Sequence, residues 1–161
     1  KRQVIPLPDF KQKMVQIGYL ARTANLLGIA TPKIACIAPS EQLLPNVISS
    51  TEGALLAKMA DRGQLGNVVV DGPLSLDVAL YKEVAEHKKV KGSSVAGDPD
   101  CLLFPNLESA NVFFKSVSHL CGGELAAMVM GTKVPCVLTS RGDTSKTKLF
   151  SIALACLAVK K

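Results

Sequence analysis

Short apolar runs alternate along this chain with stretches of helical period, and that alternation limits the fold more than any other feature. The runs are Ile34–Ala38, Asn67–Val70, Leu102–Phe104, Ala126–Met130 and Cys136–Leu138. Each is too short for a helix and is bounded by Gly, Pro or polar clusters, as buried strands are. Val95–Gly97 reads as a strand edge. Between the runs, Met14, Ile17, Leu20, Ala21 and Ala24 recur at three- and four-residue intervals. They predict a helix over Phe10–Leu27, with Asp9 as its cap and Gly28 as its stop. Ser49–Glu52 looks like a helix start, and further helices are expected over Ala54–Arg62, Asp77–Lys88, Glu108–Leu120 and Thr144–Lys160. The last carries an apolar face of Leu149, Ile152, Ala153, Cys156 and Leu157, and its other face is nearly apolar too. Such a helix is expected to be largely buried, in the domain or against a partner surface. Alternating strand and helix argues for the α/β class, a three-layer α/β/α sandwich with a mainly parallel sheet.

Composition agrees with that class. Aromatics are only 4% and Trp is absent, so aliphatic residues and Ala build the core, as in parallel sheets covered on both faces. With 161 residues the chain is long enough for one domain with a core of its own. The net charge is +6, but Lys1, Arg2, Lys160 and Lys161 lie at the ends and only Lys88, Lys89 and Lys91 form a local run. No basic stripe is interleaved with aromatics, so nucleic acid is not an expected partner. A mild positive balance suits anionic small molecules. The cysteines Cys36, Cys101, Cys121, Cys136 and Cys156 form no C-x-x-C pair. All but Cys121 lie in apolar runs, so reduced, buried thiols are expected, with Cys136 and Cys156 as packing residues. His87 and His119 lack metal-ligand spacing, and no metal site is expected. No signal peptide is visible and no apolar run reaches the ~18 residues of a span, so a cytoplasmic protein without membrane contact is expected. The chain opens on Lys-Arg-Gln without an initiator Met and reads as a piece of something longer.

Strand ends carry the polar chemistry. Ser40-Glu41 follows the first run, Asp71-Gly72-Pro73 with Asp77 the second, and Pro105–Asn111 the third. Ser140-Arg141-Gly142-Asp143 follows the last and precedes the final helix. The carboxyl ends of parallel strands share one rim, where ligands bind in open α/β sheets. A helix N-terminus offers unpaired N–H groups and a positive dipole end to an anion. Arg141 adds a fork of donors matched to phosphate or carboxylate. The same residues also suit an ordinary capped turn, with Asp143 or Thr144 as N-cap and Arg141 in solvent.

The residues themselves resemble a known family. The run Val95–Val112 with Lys115, the segment VVVDGPLSLDVAL (Val68–Leu80), and VPCVLTSRGDTSKTKLFSIALA (Val134–Ala155) resemble the phosphate acetyl/butyryl transferases, closest to the butyryltransferase branch. Pro8-Asp9-Phe10, Lys11 or Lys13, and the stretch LLGIATPKIACIAPSE fit the same branch. The resemblance runs in order along nearly the whole chain. It implies exchange of acyl-CoA and phosphate for acyl phosphate and coenzyme A, with butyryl or another short acyl group. No metal or prosthetic cofactor is implied; coenzyme A is a substrate. Family members are longer, with two α/β lobes of isocitrate/isopropylmalate dehydrogenase-like architecture and an active site in the cleft between them. The chain would then be the C-terminal part of a phosphate acyltransferase. About residues 1–130 would form the second lobe, and about 131–161 a strand and helix returning to the first. Partners would be acyl-CoA and phosphate, and faces left bare favour a homo-oligomer.

Carried over residue by residue, Ser140, Arg141 and Asp143 are the expected catalytic group. Arg141, Gly142, Thr144, Asn111, Lys115, Asp71 and Gly72 are expected to contact phosphate or coenzyme A. Two departures stand out. Thr147 occupies the position where the acetyltransferase branch carries an Asp thought to act as base, and Ala110 replaces a Gly. Asp143 is left as either base or helix cap. A catalytically silent interaction module that keeps the anion turn is the other reading of the same residues. A decarboxylating-dehydrogenase chemistry would need an acidic metal cluster that the sequence lacks.

Overall fold

A computed structural model describes residues 5–159. It divides into two compact units, residues 6–107 and residues 108–159 with Ile5. In the first, helix α1 (Phe10–Leu26) starts on a capping box. Asp9 Oδ1 accepts from the Gln12 N–H at 2.8 Å, and Gln12 Oε1 accepts from the Asp9 N–H at 2.9 Å. Two of the donors a helix start leaves unpaired are thereby satisfied. Gly28, at φ 92°, turns the chain away in a conformation that favours glycine. Strand β1 (Lys33–Ile37), helix α2 (Ile48–Asp61), strand β2 (Val69–Leu74), helices α3 (Leu76–Leu80) and α4 (Lys82–His87), and strand β3 (Cys101–Leu103) follow. The strands form a parallel sheet in the order β2-β1-β3.

Side chains alternate across a strand, and here the alternation sorts the helices into two outer layers. Ile34 and Cys36 of β1, Val70 of β2 and Leu103 of β3 pack with Ile17 of α1 and Leu56 of α2. Ala35 packs on the opposite side with Leu74, Val78 and Ala79 of α3, Ala85 of α4, and Val95. Burying each of the larger aliphatic side chains contributes roughly 1.5–3 kcal/mol. The expected three-layer α/β/α arrangement with a parallel sheet is thus present in this unit.

Several local expectations change. Asp71-Gly72-Pro73 does not end β2 but belongs to it: Ala35 pairs with Asp71 and Ile37 with Leu74, with a register shift between. The Ala38 N–H donates to Leu74 O at 2.9 Å, so the ladder runs past the proline. The helix expected over Asp77–Lys88 is two short ones, interrupted at Tyr81, whose backbone is extended. Val95–Gly97 forms no strand. Val95 is a fully buried core residue, and Gly97, at φ 81°, has its N–H bonded to Ala79 O.

The second unit holds helix α5 (Leu107–His119), which begins one residue before the division, and helix α6 (Ser145–Leu157). The strands expected over Ala126–Met130 and Cys136–Leu138 are reduced to one antiparallel bridge, Val129 to Cys136. Gly131–Pro135 folds the two apolar segments back on each other, so they pair antiparallel and only at one point. On α6 it is the small residues Ser151 and Ala155 that are buried, with Ala158 at its C-cap. Ser151 Oγ accepts from the Ala127 N–H at 2.9 Å and donates to Thr147 O at 2.7 Å. Leu149, Ile152 and Leu157 are more than half exposed, against the expectation of burial, because no described segment of this unit covers that face. Cys121 and Cys156 are exposed and only Cys36 is buried, so the thiols are not uniformly packing residues. All five are free. Among the described residues no helix is long and apolar enough to cross a membrane, and no group of His, Cys, Asp or Glu is placed to hold a metal ion.

Candidate active site

Ser140 to Thr147 folds as a tight turn into α6. Thr144 is the cap: its Oγ1 accepts from the Thr147 N–H at 3.1 Å. Asp143, the other candidate cap, turns back instead. Its Oδ2 accepts from the Ser140 N–H at 2.7 Å, and its own N–H donates to Ser140 O at 3.1 Å. Its Oδ1 lies 3.4 Å from Lys115 Nζ on α5. The Asp143 side chain is only 8% exposed, so both carboxylate oxygens are committed and the turn is locked to α5.

That lock leaves Ser140, Arg141 and Gly142 on the surface. A Cβ built on Gly142 would meet nothing within 4 Å, so open space lies in front of the turn. The free amides of the first turn of α6 and the Arg141 guanidinium give the open side a positive character. Asn111, Lys115 and His119 stand four residues apart on α5, hence along one face. Asn111 and His119 are exposed and Lys115 is half-buried. A cavity of about 260 Å³ opens within this unit, lined by His119, Glu124, Gly142, Asp143, Thr144 and Thr147 among others. Glu124 forms an ion pair with Lys146.

The structure therefore gathers Ser140, Arg141, Gly142, Asp143, Thr144 and Lys115 around one turn, with Asn111 one helical turn from Lys115. Asp71 and Gly72 belong to the first unit. There Asp71 Oδ1 accepts from the Gly72 N–H at 2.7 Å. Gly72 packs so closely on β1 that an added Cβ would sit 2.6 Å from Cys36 Cβ. Gly72 is thus a close-packing glycine. Burial, and then the charge of Asp71, pushes the Cys36 thiol up to about 12, so it stays protonated and inert.

Other polar groups of the first unit are bound to one another. Lys88 Nζ lies 3.0 Å from Asp77 Oδ2, 3.5 Å from Glu41 Oε2 and 3.3 Å from Ser75 Oγ. The Ser75 hydroxyl and then Lys88 hold the Asp77 carboxyl down to about 2. Lys13, only 4% exposed, pairs with Glu52 beside Cys36. The residue of the second unit that sequence reasoning left aside is His119. It has no metal-ligand spacing, and the signal in the sequence is its four-residue interval from Lys115.

Residues 3–156 match the family described as phosphate acetyl/butaryl transferase. Over 150 residues the chain is 43% identical to the phosphate butyryltransferase of Clostridium acetobutylicum, covering 93% of this chain and 50% of that protein. The phosphate acetyltransferase of Thermotoga maritima is 40% identical over 148 residues, 92% of this chain and 50% of that protein. The crystal structure of a branched-chain phosphotransacylase from Enterococcus faecalis V583 superposes with a TM-score of 0.86 at 30% identity. That match covers 95% of this chain and 54% of the other. The chain spans about half the length of the curated relatives it matches.

Proposed function

This chain belongs to the phosphate acetyl/butaryl transferase family, and we propose that it carries one wall of a site exchanging acyl-CoA and phosphate for acyl phosphate and coenzyme A. The observation that carries the reading is the locked turn. With Asp143 tied to Lys115 and to the Ser140 amide, Ser140 and Arg141 are presented beside the open N-terminus of α6. A phosphate dianion there meets a guanidinium fork, backbone amides and a hydroxyl, donors that suit its oxygens.

In the direction of acyl phosphate formation, a phosphate oxygen attacks the thioester carbonyl carbon, the C–O bond forms, and the C–S bond breaks to release the coenzyme A sulfur. Arg141 holds and orients the phosphate, so the attack is effectively intramolecular. Ser140 donates a hydrogen bond to the phosphate or the departing sulfur. Lys115 acts through Asp143. Asn111, exposed on the same face of α5, is available to polar atoms of coenzyme A. Asp71 and Gly72, carried on β2, are proposed contacts for phosphate or coenzyme A. The acyl group is butyryl or another short chain, and the enzyme is a cytoplasmic homo-oligomer.

The same reading assigns about residues 131–161 to a strand-and-helix segment that returns to a first lobe, for which the bare apolar face of α6 is the support. Release of coenzyme A from butyryl-CoA in phosphate buffer tests the function in the full-length protein. Turnover is expected, and its absence would leave the silent interaction module as the reading. In Arg141→Ala the KM for phosphate is expected to rise by roughly 10- to 100-fold, or turnover to be lost, as removal of a charge-assisted pair of about 1.5–3 kcal/mol requires. Unchanged kinetics would remove Arg141 from the site.

A further inference from the structure

Acyl transfer between a thiol and phosphate needs a proton carrier, and Thr147, on the first turn of α6, offers only a hydroxyl already bonded to the Thr144 cap. Asp143 is near but occupied: its two oxygens hold the Ser140 amide and Lys115. Glu124, on the same cavity, is paired with Lys146. His119 remains. It lines the same cavity of about 260 Å³ as Gly142, Asp143, Thr144 and Thr147. It stands one helical turn beyond Lys115, which itself reaches the turn. Its side chain makes no hydrogen bond or ion pair with another described residue. Imidazole is the side chain whose proton exchanges most readily near neutral pH. The cavity is smaller than the ~300–1,000 Å³ of pockets that enclose whole ligands. It suits the reacting ends of the substrates, a phosphate and a thiol, rather than a complete acyl-CoA.

We propose that His119 is the proton carrier of the acyl transfer, on the acyltransferase reading given above. In the direction of acyl phosphate formation the neutral imidazole takes the proton of hydrogen phosphate as the phosphate oxygen forms its bond to the carbonyl carbon. The imidazolium then gives that proton to the coenzyme A sulfur as the C–S bond breaks. Acyl phosphate and the free thiol result, and the imidazole is neutral again. In reverse it takes the thiol proton and returns it to the phosphate. The charged groups around it are Glu124 from the loop after α5, Lys146 from α6, Asp143 from the turn and Lys115 from α5 itself.

The test is kinetic, in the full-length protein, with butyryl-CoA and inorganic phosphate. His119→Gln keeps roughly the size of the side chain but has no basic ring nitrogen to accept a proton. Its kcat is expected to fall by about 10²-fold or more, the range of lost acid–base catalysis. The KM for phosphate should change less than about threefold. Free imidazole is expected to restore part of the turnover of His119→Ala. A His119→Gln enzyme with the parent kcat overturns the proposal while leaving the acyltransferase reading in place. So does a loss that raises the KM for phosphate in proportion and is not rescued by imidazole in His119→Ala. A parent enzyme without acyl transfer overturns both.

Discussion

Asp143 shows how a side chain with two roles open on sequence can take another in the fold. Base and helix cap were both open. The cap is Thr144, one residue on, and the carboxylate spends its oxygens on Ser140 and Lys115. Its proposed part is to position Ser140 and Arg141. Asp143→Asn keeps an oxygen for the Ser140 N–H and loses the charge facing Lys115. Its kcat is therefore expected to stay within about tenfold of the parent, whereas a lost general base costs ~10²–10⁴. Steady-state kinetics of the full-length variant decide this, and a fall into that larger range would make Asp143 the base. The identity of the turn residues was legible because Ser, Arg, Gly, Asp and Thr crowd a helix start. Which oxygen binds which amide was not, since the competing partners differ by one residue in sequence. His119 was hidden for another reason: its partner residues on the cavity lie beyond α5, and only its interval from Lys115 hints at them.

Strand β2 and the helices after it were read in outline and missed in detail. Asp71-Gly72-Pro73 has the composition of a turn, yet it stays in the ladder because the register shift opposite Ala35–Ile37 makes room for it. The segment after β2 holds enough apolar residues for one helix, but Tyr81 breaks it in two. Both pieces then lay Ala79 and Ala85 on the sheet. These elements are tied at their polar end by Ser75, Asp77, Lys88 and Glu41. The Asp77 carboxyl, about 2 in the fold, lies below the ~3.9 of an unfolded chain. The charged form is therefore the one the fold favours. Its stabilisation is complete above about pH 4 and is lost as pH falls from there toward 2. The difference in urea midpoint between the parent and Asp77→Asn is expected to shrink over that interval. A difference independent of pH would show that the ion cluster contributes nothing through Asp77.

Each of the two units carries its own lesson about completeness. The first has two apolar layers closed over a sheet. The second has no buried residue on α5 and leaves Leu149 62% and Ile152 55% exposed on α6. A helix so apolar all round is expected to be covered. If the outer face of α6 is buried against a first lobe, Ile152→Asp should lower the stability of the full-length protein by at least about 2 kcal/mol. The same change in the 161-residue chain alone should stay within about 0.5 kcal/mol, as exposed substitutions do. Urea unfolding of both proteins gives the comparison. Equal, small effects would mean that the face remains in solvent.

Periodicity and punctuation are local properties, and they were enough for the α/β class, the helices α1, α5 and α6, and the strands β1 and β3. The family resemblance was equally legible, since order and spacing are carried by the chain itself. Burial and partnership are not local. Only the folded chain decided that Ser151 and Ala155 face inward on α6 while Leu149, Ile152 and Leu157 face out. It also decided that two short apolar segments meet in a single antiparallel bridge, and that Asp143 is consumed in holding the Ser140 turn. Each of these choices depends on which distant segment arrives at a surface, a competition among contacts that residue order leaves open.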